Sequence, residues 1–271
     1  MKKILSQREI ENLFKKPLIV YLEGFRKESK ILNKILKRKF KSKTQVICRK
    51  YLKKFFCNKK ICKEFSIIIS LGGDGTFLRT AHFINNTPLL GINASKKEKE
   101  GFLTSTNLED FEKKIKNKPK IYFEQLPRIK IIINNKEILD KGINDVFVGH
   151  KKSYKTAKYE LIIRKKGIRE KQLSSGIIIS TAIGTNAWFK SAGGHAKKNT
   201  KLLYYIVREG YSGRIYKPKY LCGSLKEIEI RALKNLILVV DTLSEEYPLK
   251  KNDLVMLKLD KNKLNRVVFY N

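Results

Sequence analysis

The sequence predicts an α/β domain with a parallel sheet, followed by an all-β domain resembling an antiparallel sandwich. Strand and helix patterns alternate along the first hundred residues, whereas short β-rich runs with turn signals follow from about Tyr122. A glycine-rich turn between a strand and a helix marks a candidate site in the first domain. We place the domains at residues 1–106 and 107–271, and we expect that the last segment can pack back on the first domain.

The first domain is predicted from the spacing of its apolar residues. An apolar run at 17–22 predicts a strand, and apolar residues at 31, 32, 35 and 36 predict a helix over 27–40. The further predicted elements are strands at 45–48, 65–71 and 88–93, a helical turn at 51–56, a helix at 76–84 and a linking helix at 107–116. Because parallel strands end at one edge of their sheet, we expect ligand-binding residues at that edge.

The second domain is predicted from its closely spaced β-rich runs. These runs lie at 121–126, 128–133, 145–149, 159–164, 176–181, 202–208, 227–232, 236–241, 254–259 and 266–270, with a turn at Asn135-Lys136. Many short strands separated by turn signals are typical of an antiparallel sandwich. We expect the ligand to lie between the two domains.

The composition indicates a soluble, intracellular protein. Of 271 residues, 42% are hydrophobic, and no apolar run reaches the ~20 residues that span a bilayer. The N-terminus turns polar too early for a signal peptide, so we expect the bacterial cytoplasm, with the mitochondrial matrix as the alternative. The four cysteines form no C-x-x-C pair, which favours free thiols over a metal site: Cys48, Cys57, Cys62 and Cys222.

The formal net charge of +35 predicts attraction to polyanions. Lysine is spread along the whole chain, however, and no zinc-finger or RNA-reading motif is present. We therefore expect neither a specific nucleic-acid partner nor a membrane partner. The same charge would help to gather anionic nucleotides.

The turn Gly72-Gly73-Asp74-Gly75-Thr76 is the most informative segment. Its glycines allow the backbone to approach a phosphate and to direct N–H groups at it. The carboxylate of Asp74 would repel a phosphate, so it is better suited to coordinate a cation or to accept a proton from a hydroxyl. The structural alternative is a tight turn in which Asp74 caps the following helix.

Three further segments contribute to the interpretation. Asn93 ends a predicted strand and leads through residues 94–100 to Gly101-Phe102-Leu103. Asn144 and Asp145 enter another strand, and residues 174–188 form a strand, a loop of small residues and a helix start. In this order, the four motifs resemble those of the NAD kinase family over about residues 65–194. The same glycine turn occurs in diacylglycerol and sphingosine kinases, which lack the downstream pair of motifs.

The resemblance implies an NAD kinase-like fold and transfer of the γ-phosphate of ATP to the 2′-hydroxyl of the adenosine ribose of NAD, giving NADP. NADH is a further candidate acceptor. It implies Asp74 as the general base, Mg²⁺ or another divalent cation carried with ATP, and a homodimer or higher homo-oligomer. The substrate- and nucleotide-binding residues that it implies are Gly72, Gly73, Gly75, Thr76, Arg79, Asn93, Asn144, Asp145, Ser175, Thr185, Asn186, Ala187 and Trp188.

Some of these residues also have structural interpretations. Asn144-Asp145 alone is typical of a turn, and a lone Trp188 is more often a core residue than a ligand wall. Arg79 lies just over one helical turn after Asp74, where it either reaches a phosphate or faces solvent. Asp241 precedes a loop at 242–246 that is a further candidate for ligand contact.

Details of the motifs resemble the mitochondrial-type branch of the family. Seven residues, 94–100, separate Asn93 from Gly101, where the common bacterial pattern is shorter. Ser175 and Trp188 stand where the wider family usually has Asp and Tyr, which bears on the choice between NAD and NADH. The sequence leaves open a lipid kinase and an inactive polyanion-binding relative, and also leaves open ATP or polyphosphate as donor.

Overall fold

The computed structural model describes residues 3–57, 64–94, 101–116, 119–152, 154–241 and 245–270. The chain divides into two compact units. Unit 1 comprises residues 1–126 and 263–271, and unit 2 comprises residues 127–262.

Unit 1 alternates strands and helices, as the apolar spacing predicts. Its elements in chain order are α1 (Gln7–Leu13), β1 (Pro17–Tyr21), α2 (Arg26–Phe40), β2 (Gln45–Cys48), α3 (Leu52–Phe55), β3 (Ile67–Gly72), α4 (Asp74–Ala81), β4 (Leu89–Asn93), β5 (Thr106–Asn107), α5 (Leu108–Lys116) and β6 (Ile121–Leu126). The sequence analysis did not predict α1, which begins at a capping box formed by Ser6 and Glu9.

The sheet of unit 1 is mainly parallel. Strands β2, β1, β3 and β4 are neighbours in that order and run parallel, and β5 pairs with β4. All residues of β3 and β4 are buried, which explains their continuous apolar sequences. The parallel order brings the ends of β3 and β4 together, with Gly72 opposite Asn93.

The first unit extends beyond residue 106, the predicted boundary, to Leu126. Helix α5 contributes Phe111 and Ile115 to the same core as β1, β3 and β4. The last strand of the chain, at Leu264–Phe269, also joins this sheet, where it lies between β4 and β6. It pairs antiparallel with β6 along its whole length, so both strands belong to unit 1.

Almost all regular elements of unit 2 are strands. They are β7 (Ile129–Ile133), β8 (Lys136–Glu137), β9 (Asp145–Gly149), β10 (Ala157–Ile163), β11 (Ile168–Ser174), β12 (Gly176–Ser180), β13 (Leu203–Arg208), β14 (Cys222–Leu225), β15 (Glu227–Ala232), β16 (Leu236–Val240), β17 (Glu246–Leu249) and β18 (Leu254–Leu259); helix α6 (Trp188–Ser191) lies between β12 and β13, and the strand at Leu264–Phe269 is β19.

Unit 2 forms two antiparallel six-stranded sheets. Their orders are β11-β10-β15-β18-β7-β8 and β14-β13-β12-β9-β16-β17. Residues from both sheets, such as Tyr159 and Val148, share one buried core. The architecture is therefore the predicted α/β domain followed by an antiparallel sandwich.

Candidate active site

The glycine turn lies at the carboxyl end of β3. The strand ends at Gly72, Gly73 is the N-cap of α4, and Asp74 is the first residue of the helix. No side chain caps this helix. The alternative in which Asp74 serves as the N-cap is therefore wrong, and another role is needed for its carboxylate.

Both carboxylate oxygens of Asp74 accept hydrogen bonds from the backbone of the loop after residue 100. The N–H of Leu103 donates to Oδ1 over 2.8 Å, and the N–H of Phe102 donates to Oδ2 over 2.9 Å. The half-buried side chain forms no ion pair with any described residue. Because each oxygen can accept a further hydrogen bond, the carboxylate is fixed in orientation and still able to accept a proton.

Two glycines of the turn have different surroundings. A Cβ added at Gly72 would lie 2.8 Å from Cβ of Thr76 and 3.2 Å from Cβ of Leu22, so packing alone requires glycine there. A Cβ added at Gly75 would have no atom of the described residues within 4 Å. Packing within unit 1 therefore does not explain Gly75, whereas a ligand against the backbone would.

Asp74 faces a cleft of about 510 Å³, which we call the glycine-turn cleft. Its described lining residues are Leu22, Arg49, Gly73, Asp74, Gly75, Thr76 and Gly101. The sequence analysis did not single out Arg49. Its position directly after predicted strand 45–48, at the carboxyl edge of a parallel sheet, was the signal that could have identified it.

Asn93 lies beside the glycine turn but is almost fully buried. A Cβ on Gly101 would lie 2.8 Å from its Nδ2 atom, so this amide packs closely against the loop that holds Asp74. Residues 95–100 of the predicted insertion lie outside the described residues.

Arg266 on β19 supports the loop that holds Asp74. Its Nη2 donates to the carbonyl of Phe102 over 3.1 Å and lies 3.4 Å from that of Thr104. Its Nη1 donates to Oε2 of Glu124 on β6 over 3.0 Å. No sequence motif indicates this role, because Arg266 is about 190 positions away from Asp74 along the chain.

Arg79 and Thr76 differ in position although both follow Asp74 on α4. Thr76 is buried and lines the glycine-turn cleft, whereas Arg79 is partly exposed and does not line it. The structure thus gives Arg79 no contact with the cleft, and a role for it in phosphate binding stays a prediction.

In unit 2, Asp241 organises the segment that carries Asn144 and Asp145. Its Oδ1 accepts from the N–H groups of Asn144 over 2.8 Å and Asp145 over 2.9 Å, and its Oδ2 accepts from the N–H of Ile143 over 2.8 Å. The candidate role of Asp241 in ligand contact is therefore accompanied by a clear structural role. Residues 242–244 of the following loop lie outside the described residues.

The side chains of Asn144 and Asp145 each keep one buried acceptor without a hydrogen bond. Oδ1 of both residues is inaccessible to solvent and has no partner in the described part of the chain. An unsatisfied buried acceptor is costly, and it calls for an explanation such as a bound water, an ion or a functional role. These two atoms are thus candidate ligand contacts.

The carboxyl group of Asp145 has an unusual pKa. Burial raises the pKa to about 7, a hydrogen bond with Ser180 opposes the increase, and the charge of Asp241 adds to it. Asp145 therefore titrates close to neutral pH, in the range where binding-site carboxylates are often found.

The loop after β12 packs tightly on Asn144. A Cβ on Gly184 would come within 2.5 Å of Cα of Asn144, so glycine is required there. The buried hydroxyl of Thr185 donates to the carbonyl of Ala182 over 2.6 Å and accepts from the N–H of Lys197 over 2.8 Å. These bonds give Thr185 a structural role, so a ligand contact by its hydroxyl would have to compete with them.

Trp188 is a partly exposed residue with an aromatic neighbour. It is 38% exposed, and its ring lies 5.1 Å from that of Phe147, between centroids. The guanidinium of Arg208 lies 5.4 Å from the Trp188 ring centroid. This exposure argues against the interpretation of Trp188 as an ordinary core residue, and Asn186 and Ala187 next to it are exposed and half-buried.

Ser175 lies close to this group. Its N–H donates to the carbonyl of Arg208 over 3.1 Å, and its half-buried side chain faces a second cleft, of about 440 Å³. That cleft is lined by Tyr154, Lys155, Thr156, Ser174, Ser175, Glu209, Gly210, Tyr211 and Ser212. In unit 2, Ser175 thus bonds to the backbone of Arg208, whose guanidinium lies beside Trp188.

The protein itself offers few metal ligands. No group of three or more His, Cys, Asp or Glu residues is placed to hold a metal ion in the parts of the chain that the structure describes. Asp74 is the one carboxylate among the described residues of the glycine-turn cleft.

Comparisons with known proteins agree with these motifs. A family model described as the ATP-NAD kinase N-terminal domain matches residues 3–118. An NAD kinase of Clostridium tetani is 34% identical over 173 residues, which are 62% of each chain, and one of Sulfurimonas denitrificans is 27% identical over 207 residues. The alignment thus spans less than two thirds of the Clostridium protein and 71% of the Sulfurimonas protein.

Solved structures share the architecture over most of the chain. An NAD kinase from Archaeoglobus fulgidus, solved with ATP, superposes with a TM-score of 0.69 at 22% identity and covers 94% of both chains. Yeast NADH kinase, solved with NADH, superposes with a TM-score of 0.71 at 16% identity, over 94% of this chain and 83% of the yeast chain.

The protein thus shares the fold of these two solved structures, with a glycine turn after a parallel strand. Over residues 3–118 and in the aligned relatives, the chain is similar to the NAD kinase family.

Proposed function

We propose that this protein is an ATP-dependent NAD kinase that phosphorylates the 2′-hydroxyl of the adenosine ribose of NAD. The observation that carries the proposal is Asp74, whose carboxylate is held by two backbone N–H groups in a cleft bordered by glycine backbone. The names of its relatives support this activity, since they are NAD kinases.

In the proposed reaction, Asp74 accepts the proton of the 2′-hydroxyl as the ribose oxygen attacks the γ-phosphorus of ATP. The bond between this phosphorus and the β–γ bridging oxygen breaks, and ADP leaves with the electron pair. A positioned general base contributes about 10²- to 10⁴-fold to such a rate. The backbone at Gly73 and Gly75 gives the phosphates close access, and bound Mg²⁺ would offset charge on them.

Unit 2 is proposed to bind the nucleoside part of NAD. The Oδ1 atoms of Asn144 and Asp145 have no partner among the described residues. We propose that they accept hydrogen bonds from an adenine amino group or ribose hydroxyls once a movement of the surrounding groups exposes them. Asn186, Ala187 and Trp188 are accessible to a ligand in the same unit, and Ser175 is linked to Trp188 through Arg208. A ligand position between the two units stays a prediction.

Finer properties are proposed from the family resemblance. These are use of Mg²⁺ with ATP, a homodimer or higher oligomer, a cytoplasmic location with the mitochondrial matrix as the alternative, and membership of the mitochondrial-type branch. Within the described residues, no helix has the length and apolar character needed to cross a membrane. NADH is a second acceptor to be tested, because yeast NADH kinase shares the fold.

The proposal is tested by incubating the purified chain with MgATP and NAD and measuring NADP. Parallel reactions contain NADH, diacylglycerol or sphingosine as acceptor, and polyphosphate as donor. Formation of NADP from NAD supports the proposal. Phosphorylation of a lipid without NADP formation would replace it with a lipid kinase, and the absence of any product would favour an inactive relative.

A further inference from the structure

We propose that Arg49 binds the transferred phosphate of ATP in the glycine-turn cleft, an inference that rests on the proposed function. The sheet topology places the residue there. Strand β2 runs parallel to β1 with Cys48 opposite Tyr21, and β1 runs parallel to β3 with Tyr21 opposite Leu71. Arg49 therefore leaves the sheet at the same edge as the glycine turn.

The charges in the cleft favour this role. Among the described lining residues, Asp74 is the only acid and Arg49 is the only base. A phosphate that approaches Asp74 is repelled by its carboxylate, and a cation on the same cleft compensates for this repulsion. Arginine is well suited to the task because its planar guanidinium carries five N–H donors and stays charged.

The guanidinium of Arg49 is also held in place. Its Nη2 lies 3.0 Å from Oε2 of Glu23, which follows the end of β1. The Arg49 side chain is only 26% exposed. Because one ion pair engages a single edge of the guanidinium, donors remain for a ligand, and an anchored group loses less conformational entropy when the ligand binds.

The competing interpretation is that the ion pair between Arg49 and Glu23 only ties together the ends of β1 and β2. A partly exposed pair of this kind contributes little to stability, on the order of 1 kcal/mol. Under that interpretation, removal of the guanidinium would leave ATP binding unchanged. Nucleotide binding therefore separates the two roles.

The test compares wild type with Arg49→Met, which keeps the aliphatic stem. We expect Kd for MgATP, measured by calorimetry, to rise about 10- to 100-fold, as for loss of a hydrogen-bonded charge. We expect KM for ATP to rise in parallel and KM for NAD to change by less than about threefold. Arg38→Met is the matched control. Arg38 on α2 forms an ion pair with Glu112 on α5, and it does not line the cleft.

The outcomes keep this inference separate from the proposed function. If wild type makes NADP and Arg49→Met binds MgATP as tightly as wild type, the role of Arg49 is overturned while the kinase activity stands. If wild type makes no NADP, the proposed function fails. Weaker MgATP binding by Arg49→Met would then still support a phosphate contact, and equal or undetectable binding by both proteins would overturn it.

If Arg49→Met does not fold, Arg49→Lys replaces it. Lysine keeps the charge but loses the planar fork, so we expect MgATP binding to weaken by a smaller factor, about three- to tenfold. Binding equal to wild type would contradict the inference.

Discussion

Gly72 and Gly75 belong to one turn, yet their roles differ. An added methyl group would press against Thr76 and Leu22 at Gly72, whereas it would meet no atom of the described chain at Gly75. The first glycine is explained by packing of α4 on β3. The second is not explained by packing among the described residues, whereas a ligand against its backbone would explain it.

The different surroundings of Gly72 and Gly75 predict different effects of replacement by alanine. Gly72→Ala should lower the free energy of unfolding by about 1–3 kcal/mol, as expected for overpacking. Gly75→Ala should leave stability unchanged or slightly higher, because alanine favours a helix, but should weaken MgATP binding. Thermal unfolding and calorimetry on both variants measure these effects. Normal MgATP binding by a folded Gly75→Ala variant would argue against a phosphate at this backbone.

Asp145 predicts a pH dependence of stability. Its pKa of about 7 in the folded state lies above that in the unfolded chain, so the folded protein binds more protons between about pH 4 and 7. Stability contributed by this group is therefore fully present at low pH and is lost as pH rises through 7. Each pKa unit corresponds to about 1.4 kcal/mol.

Replacement of the carboxyl group by an amide should remove this dependence. We expect wild type to lose stability relative to Asp145→Asn between pH 5 and 8, by on the order of 2 kcal/mol. Urea unfolding at several pH values measures the difference. Parallel pH profiles for the two proteins would show that burial does not raise the pKa of Asp145 as described.

Strand β19 shows how a distant element can support the site. Arg266 on this strand donates to carbonyls of the loop whose N–H groups hold Asp74, and Glu124 on the neighbouring strand β6 holds Arg266. The loop thus has its carbonyls fixed by a cation and its amides fixed by the carboxylate of Asp74. We infer that Arg266 positions Asp74 through this loop.

Arg266→Met should reduce kcat about tenfold with little change in KM for either substrate, since the orientation of Asp74 would be lost while the cleft remains. Backbone amides of Phe102 and Leu103 should exchange hydrogen faster than in wild type. Arg231→Met on β15 is the matched control, as Arg231 is a strand residue of unit 2. Unchanged exchange of the two amides in Arg266→Met would contradict the positioning role.

The strands that the sequence did not predict in unit 2 share one property. β8, β11, β14 and β17 are the outermost strands of the two sheets. An edge strand needs less apolar sequence than a central one, because more of it faces solvent. In β11, for example, exposed Lys171 alternates with buried polar Gln172, so no apolar periodicity is visible. Central strands such as β12, which is buried throughout, were predicted correctly.

Some parts of the candidate site can be predicted from the sequence, and others cannot. Motifs that are continuous along the chain, such as the glycine turn and Asn144-Asp145, were identified as candidates. Contacts between distant segments were not: Arg266 reaches the Asp74 loop from the last strand, and the three hydrogen bonds of Asp241 to residues 143–145 cross almost a hundred positions. Such contacts depend on strand order, which apolar patterns alone do not determine.

The domain boundary illustrates the same limit. The linking helix was predicted, but its membership of unit 1 follows from Phe111 and Ile115 in the core of the parallel sheet. Residues 121–126, which form β6, belong to the same unit because β6 pairs with β19. The change from alternating strands and helices to consecutive short strands therefore indicates a change from parallel to antiparallel pairing. It does not indicate where the compact unit ends.

The most direct measurement is the single-turnover rate of NADP formation from saturating MgATP and NAD, compared between wild type and Asp74→Asn. The amide keeps the size of the side chain but cannot accept the hydroxyl proton as a base. We predict a rate about 10²- to 10⁴-fold lower, with folding and MgATP binding retained. A folded Asp74→Asn enzyme that forms NADP at the wild-type rate would contradict the assignment of Asp74 as the general base.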